Sequence, residues 1–237
     1  MPAATLDVKG LVAGYGQTHI LEGVDLCVPA GARTAVLGRN GMGKSTLFGT
    51  IAGQVKRFQG AIEIAGKPVE KCDSTTRAMA GLGYVPQSRD VFPTLTVEEN
   101  LRVGLKGRDR QSIDEAYAMF PRLKERRRNF GNQLSGGEQQ MLTTARTILG
   151  QPSVLLLDEP LEGLAPVICE ELMEVFSDLA GRGDMTILLI EQRIQAALNF
   201  ADYVYILERG KVAWQGATSD LQSQQHVIDE LLGVGKI

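Results

Sequence analysis

Along the chain, short apolar stretches alternate with polar ones at a spacing that changes twice. Leu6–Val12, Ile20–Val28 and Thr34–Leu37 carry their apolar residues at strand spacing, with Gly23 interrupting the second, and predict short strands joined by turns. A glycine-rich turn follows. Then come Lys44–Ala52 with helical patterning, Ala61–Ile64 as a strand ending at Ala65-Gly66, and Leu82–Val85 as a strand stopped by Pro86. Between about residues 88 and 150 the period lengthens: Val97–Leu105, Ser112–Phe120 and Gly137–Leu149 read as helices, and no strand is expected there. Beyond that stretch, Val154–Leu157, Thr186–Ile190 and Tyr203–Leu207 read as strands alternating with helices over Val167–Ala180 and Gln192–Phe200. Such alternation predicts an α/β fold with a mainly parallel sheet and crossover helices. The helical stretch is then an insertion between halves of one core, and residues 1–237 form a single domain.

Composition supports one large domain: 43% of the 237 residues are apolar and 22% charged. A net charge of −3 gives no overall attraction for a polyanion, and Arg126-Arg127-Arg128, with no aromatic residues interleaved, reads as a solvated helix end, so no nucleic-acid partner is expected. Cys27, Cys72 and Cys169 are odd in number, far apart and lack metal-ligand spacing, so neither a disulfide framework nor a zinc site is suggested, which fits a reducing cytoplasm. The N-terminus lacks the basic-then-apolar pattern of a leader, and the longest apolar runs fall far short of the ~20 residues that span a bilayer. Any membrane role is expected to be borrowed from other chains.

Three segments carry chemistry. Gly38-Arg39-Asn40-Gly41-Met42-Gly43-Lys44-Ser45-Thr46 satisfies G-x-x-x-x-G-K-[ST] between a predicted strand and a predicted helix. Glycines let the backbone N–H groups turn in around phosphates, Lys44 can reach the β- and γ-phosphates, and the Ser45 hydroxyl can ligate Mg²⁺. Val154–Leu157 runs into Asp158 and Glu159 at the carboxyl edge of the sheet, where Asp158 can hold Mg²⁺ through its water shell and Glu159 can polarise an attacking water. Ser135, Gly136 and Gly137 precede a long helix, and their exposed N–H groups with the Ser135 hydroxyl form a second anion cradle.

Taken together, Leu134-Ser135-Gly136-Gly137-Glu138-Gln139-Gln140, the phosphate loop and Leu155-Leu156-Leu157-Asp158-Glu159-Pro160 resemble the nucleotide-binding subunit of ABC transporters from Leu6 to Gly216. The resemblance implies a P-loop ATPase core with an N-terminal antiparallel β subdomain and an inserted α-helical subdomain at about residues 88–150. It implies ATP and Mg²⁺ as cofactors, and a head-to-tail dimer in which Ser135 and Gly137 touch the nucleotide held by the partner's phosphate loop. By the same resemblance, Tyr15 stands where an aromatic stacks on adenine, the alternative being a buried strand-end tyrosine. Gln87 matches a glutamine that senses Mg²⁺ and water. Gln192 occupies a position where most of the family has a γ-phosphate-contacting histidine, and Ala165 one where most have Asp.

These departures, with the segments Gly81–Gln87 and Phe92–Val97, look like the branch serving hydrophobic amino-acid, amide and urea importers. The expected function is an ATPase energising import of branched-chain amino acids or related small amides. The alternatives are a soluble non-transport ABC ATPase and a lipid-exporter ATPase. Expected partners are transmembrane permease subunits, docked around Ser88–Asn100, a second ATP-binding subunit and, indirectly, a periplasmic or extracellular substrate-binding protein. The resemblance thus puts the chain in the cytoplasm, on the inner face of the membrane.

Overall fold

The structure, a computed structural model, describes residues 2–233. Two sheets organise it. The first holds β1 (Leu6–Tyr15), β2 (Thr18–Val28), β4 (Lys56–Ile64) and β5 (Lys67–Pro68), antiparallel in the order β2-β1-β4-β5. The second holds β3 (Arg33–Leu37), β6 (Leu82–Val85), β7 (Val154–Asp158), β8 (Thr186–Ile190), β9 (Tyr203–Glu208) and β10 (Lys211–Ala217) in the order β10-β9-β3-β8-β7-β6, parallel except at β10.

The central strands are buried on both faces, which is why they read as unbroken apolar runs. Successive side chains divide between two cores. Leu155, Leu157, Ile187 and Leu189 pack among helices, while Leu156, Leu188, Ile190 and Val36 pack with the antiparallel sheet and α1 (Lys44–Ile51). α7 (Pro166–Gly181) and α8 (Ile194–Phe200) contribute to the helical side.

α2 (Ser74–Met79) precedes β6, and between β6 and β7 lie α3 (Val97–Gly104), α4 (Ile113–Met119), α5 (Pro121–Glu125) and α6 (Gly136–Leu149), with two single 3₁₀ turns and one isolated bridge, Thr96 to Phe130. α9 (Thr218–Gln222) and α10 (Gln225–Leu232) close the described chain. Arg126–Arg128 follow α5 exposed, and Arg126 lies 3.4 Å from Glu138 at the start of α6.

Several expected boundaries shift for local reasons. α8 begins at Ile194 rather than Gln192, because the Glu191 carboxylate accepts the N–H groups of Gln192 and Arg193 and holds both outside the helix. α6 begins one residue early, at Gly136, with Ser135 as its N-cap. β4 begins at Lys56, its first half hidden among polar residues, and β10 is an edge strand whose alternating exposure gives no apolar run to detect.

Candidate functional site

The phosphate loop joins β3 to α1. Gly38 has φ +147° and a Cβ there would stand 2.4 Å from the Leu207 carbonyl oxygen, while Gly43 has φ +101° and its Cβ would meet Leu21 Cδ2 at 2.8 Å. Neither position admits a side chain, so the backbone winds tightly. As N-cap of α1, Gly43 offers no side-chain acceptor to the first-turn N–H groups, which leaves those donors and the helix dipole available to an anion. Lys44 is buried, donating through Nζ to the carbonyls of Gly38 (2.8 Å) and Arg39 (3.2 Å). Met42 is turned to the β9–β10 connection, its Sδ 3.2 Å from the Arg209 nitrogen.

Asp158 ends β7 at 1% exposure. Its Oδ1 accepts from the Ser45 hydroxyl at 3.1 Å and its Oδ2 from the Tyr84 hydroxyl at 3.2 Å. Burial pushes its carboxyl up to about 6; the two hydrogen bonds oppose that rise and the neighbouring Glu159 charge adds to it. Burial beside Asp158 likewise raises the Tyr84 phenol. The Asp158 carboxylate and the exposed Ser45 hydroxyl bring two oxygen donors together, the ligand type that a hard divalent cation takes. Among the described residues no group of three or more acidic, His or Cys side chains could hold a metal by itself.

Glu159 follows at φ +48°, its backbone N–H donating to the Ile190 carbonyl at 2.9 Å. Only 6% exposed, its carboxylate takes Gln192 Nε2 at 2.5 Å and Gln87 Nε2 at 3.2 Å on Oε2, and faces Lys44 Nζ at 3.6 Å on Oε1. Glu191 sets this geometry from behind. Buried, with its carboxyl raised by that burial, it accepts Leu161 N–H at 2.9 Å and Gln192 N–H at 3.0 Å, tying the end of β8 to the loop after β7.

Asn40, Gly41 and Gly43–Thr46 line one cleft of about 410 Å³ together with Tyr15, Gln87, Glu159 and Gln192. Gly38 and Arg39 face a smaller depression behind the loop, beside Glu191 and Leu232. Tyr15 is 59% exposed, which removes the buried-tyrosine alternative and leaves its ring free at the cleft. Ser135, Gly136 and Gly137 do not line this cleft. The Ser135 hydroxyl is engaged in a capping box, donating to Glu138 Oε2 at 2.9 Å and accepting from Glu138 N–H at 3.3 Å as the N-cap of α6.

The sequence pattern of the ABC transporter family matches residues 21–162, more than half of the chain. The chain belongs to the ABC transporter family. This ABC ATPase is 38% identical to the high-affinity branched-chain amino acid transport ATP-binding protein BraG of Pseudomonas aeruginosa, over 92% of its own length and 95% of BraG. It is 36% identical to the probable branched-chain amino acid transport ATP-binding protein LivF of Archaeoglobus fulgidus, over 94% of its length and 97% of that protein. A solved ATP-binding subunit of an ABC transporter superposes with a TM-score of 0.83 at 29% identity, covering 96% of each chain. The chain is therefore an ATP-binding subunit whose ATP hydrolysis is coupled to transport. No helix among its described residues is long and apolar enough to cross a membrane.

The residues that support the site carry no signal of their own in the sequence. Tyr84, Glu191 and Glu162 stand beside recognised motifs, yet their partners come from strands distant in the chain. The Ser135-x-x-Glu138 spacing, by contrast, is visible there as a capping signal.

Proposed function

We propose that the cleft binds Mg-ATP with the phosphates in the loop of Gly38–Thr46, adenine on Tyr15, and the ion held by Ser45, Gln87 and Asp158. Magnesium supplies charge neutralisation of the β- and γ-phosphates. The Lys44 ammonium exchanges the carbonyls of Gly38 and Arg39 for phosphate oxygens, which frees the loop to close. Glu159 polarises a water for in-line attack on the γ-phosphorus and takes its proton as the bond to ADP breaks. Gln192 donates an amide N–H near the γ-phosphate and holds Glu159 through the hydrolysis step, while the longer bond from Gln87 to Glu159 is given up to water.

The observation that carries the assembly is the separation of two anion-binding helix starts: α1 opens into the cleft, and α6 at Ser135–Gly137 does not. A second ATP-binding subunit arranged head to tail places α6 of each over the nucleotide of the other. ATP then favours the closed pair, and hydrolysis releases it. Residues of about 88–150 dock permease subunits, which hold the chain on the cytoplasmic face. The likeness to BraG and LivF supports import of branched-chain amino acids, delivered by a substrate-binding protein, over the soluble and lipid-exporting alternatives.

Ser135→Arg tests this. Light scattering with Mg-ATP on a hydrolysis-deficient background should show ATP-induced dimers lost while monomer nucleotide affinity is retained. Loss of monomer affinity in this variant rejects the head-to-tail arrangement.

A further inference from the structure

Glu162 lies in the loop Leu161–Pro166 that follows Glu159, a loop the resemblance assigns to dimer contact, yet it lines the nucleotide cleft and accepts the shortest hydrogen bond that Gln87 makes, Nε2 to Oε2 at 2.6 Å. The other hydrogen of the same NH₂ group goes to Glu159 Oε2 at 3.2 Å. Two carboxylates thus take both amide hydrogens. Since the amide is planar, the Gln87 carbonyl oxygen must point away from them, and it makes no hydrogen bond among the described residues. That oxygen is the only side-chain atom of Gln87 able to ligate a cation.

The position of Glu162 is fixed independently of Gln87. Arg89 Nη2 donates to the Glu162 carbonyl at 3.2 Å, and Gly163 turns the chain at φ +66° immediately afterwards. Arg89 itself sits at φ +66°, so the loop after β6 is bent back onto the loop after β7 and joined to it twice, by a side chain and by a main-chain carbonyl.

We propose that Glu162 is a positioning residue that sets the rotamer of the Gln87 amide, presenting its oxygen to the nucleotide-bound cation. This rests on the assignment of Gln87 to the cation given above. During turnover Glu159 must release Gln87 to engage water. Glu162 is then the remaining acceptor, and without it the amide is free to flip and offer N–H to the cation.

The test is a Mg²⁺ titration of non-hydrolysable ATP analogue binding, with Mn²⁺ electron paramagnetic resonance on the same complexes, for wild type, Glu162→Ala, Glu162→Gln and Gln87→Ala. Glu162→Ala should raise the half-saturating Mg²⁺ concentration about three- to tenfold, the worth of one oriented hydrogen bond. Nucleotide affinity in EDTA should be unchanged by it. Glu162→Gln, whose amide oxygen still accepts, should recover most of the loss. If Glu162→Gln is as impaired as Glu162→Ala, the charge of Glu162 rather than its acceptor geometry matters and the proposal fails. Unchanged Mg²⁺ dependence in Glu162→Ala alongside a rise in Gln87→Ala overturns the role of Glu162 while leaving the site assignment intact. Unchanged dependence in Gln87→Ala overturns both.

Discussion

Replacing Asp158 by Asn should stabilise the nucleotide-free chain and disable it at once. The carboxyl sits at about 6 against an ordinary 3.8, chiefly through burial. A carboxyl raised on folding favours folding most when protonated: its contribution is fully present below about pH 4 and is lost as the pH climbs through about 6. Each tenfold change in the ionisation equilibrium is worth about 1.4 kcal/mol, so the ionised carboxylate penalises the folded state by at most about 3 kcal/mol at pH 8. Asn is nearly isosteric and neutral, so it removes that penalty while keeping a group that can accept from Ser45. Urea denaturation in EDTA, without nucleotide, should therefore show Asp158→Asn more stable than wild type by about 1–3 kcal/mol at pH 8, with the difference closing towards pH 4. Mg²⁺-dependent ATP hydrolysis should be lost over the same pH range. A variant equally or less stable at pH 8 would show that the hydrogen bonds from Ser45 and Tyr84 outweigh desolvation, and would refute the reasoning.

Glu159→Gln should keep ATP binding and lower turnover by about 10²–10⁴, the range for a positioned base, checked by ATPase rate beside equilibrium binding. Tyr15→Ala should weaken ATP binding by about 1–3 kcal/mol with Phe restoring most of it, measured by calorimetry. Gln192→Ala should lower kcat more than it raises KM, because it removes one of the amides that hold Glu159, and Gln192→His should retain substantial activity. A wild-type rate in Gln192→Ala would reduce that glutamine to a filler after β8.

The parallel strands were legible because burial on both faces leaves them almost purely apolar, and the phosphate loop because its glycines answer a steric demand that no other residue meets. Local signals of that kind appear in sequence. What stayed hidden depends on distant partners. Tyr84 reaches Asp158 only because β6 lies beside β7, with Tyr84 opposite Leu156, a pairing that no local pattern encodes. Glu191 serves a loop that follows a different strand. β10 was missed because, as an edge strand paired only with β9, it needs little apolar content, and α9, five residues long, is too short to show a period. The Ser135-x-x-Glu138 spacing is a local signal too, and it shows in the structure as the capping box that starts α6.

Gly38, Gln87, Glu159 and Gln192 each follow a different parallel strand, and this has a kinetic side. β3 lies against β8 with Arg33 opposite Ile187, residues roughly 150 apart in the chain. Contacts this remote form slowly, since a large loop must close before any pairing rewards it. The remote strand pairings are therefore expected to set the main barrier to folding, and the loops that touch the nucleotide to settle only after it. ATP added to refolding chain should leave the refolding rate almost untouched and slow unfolding instead, because it binds contacts absent from the transition state.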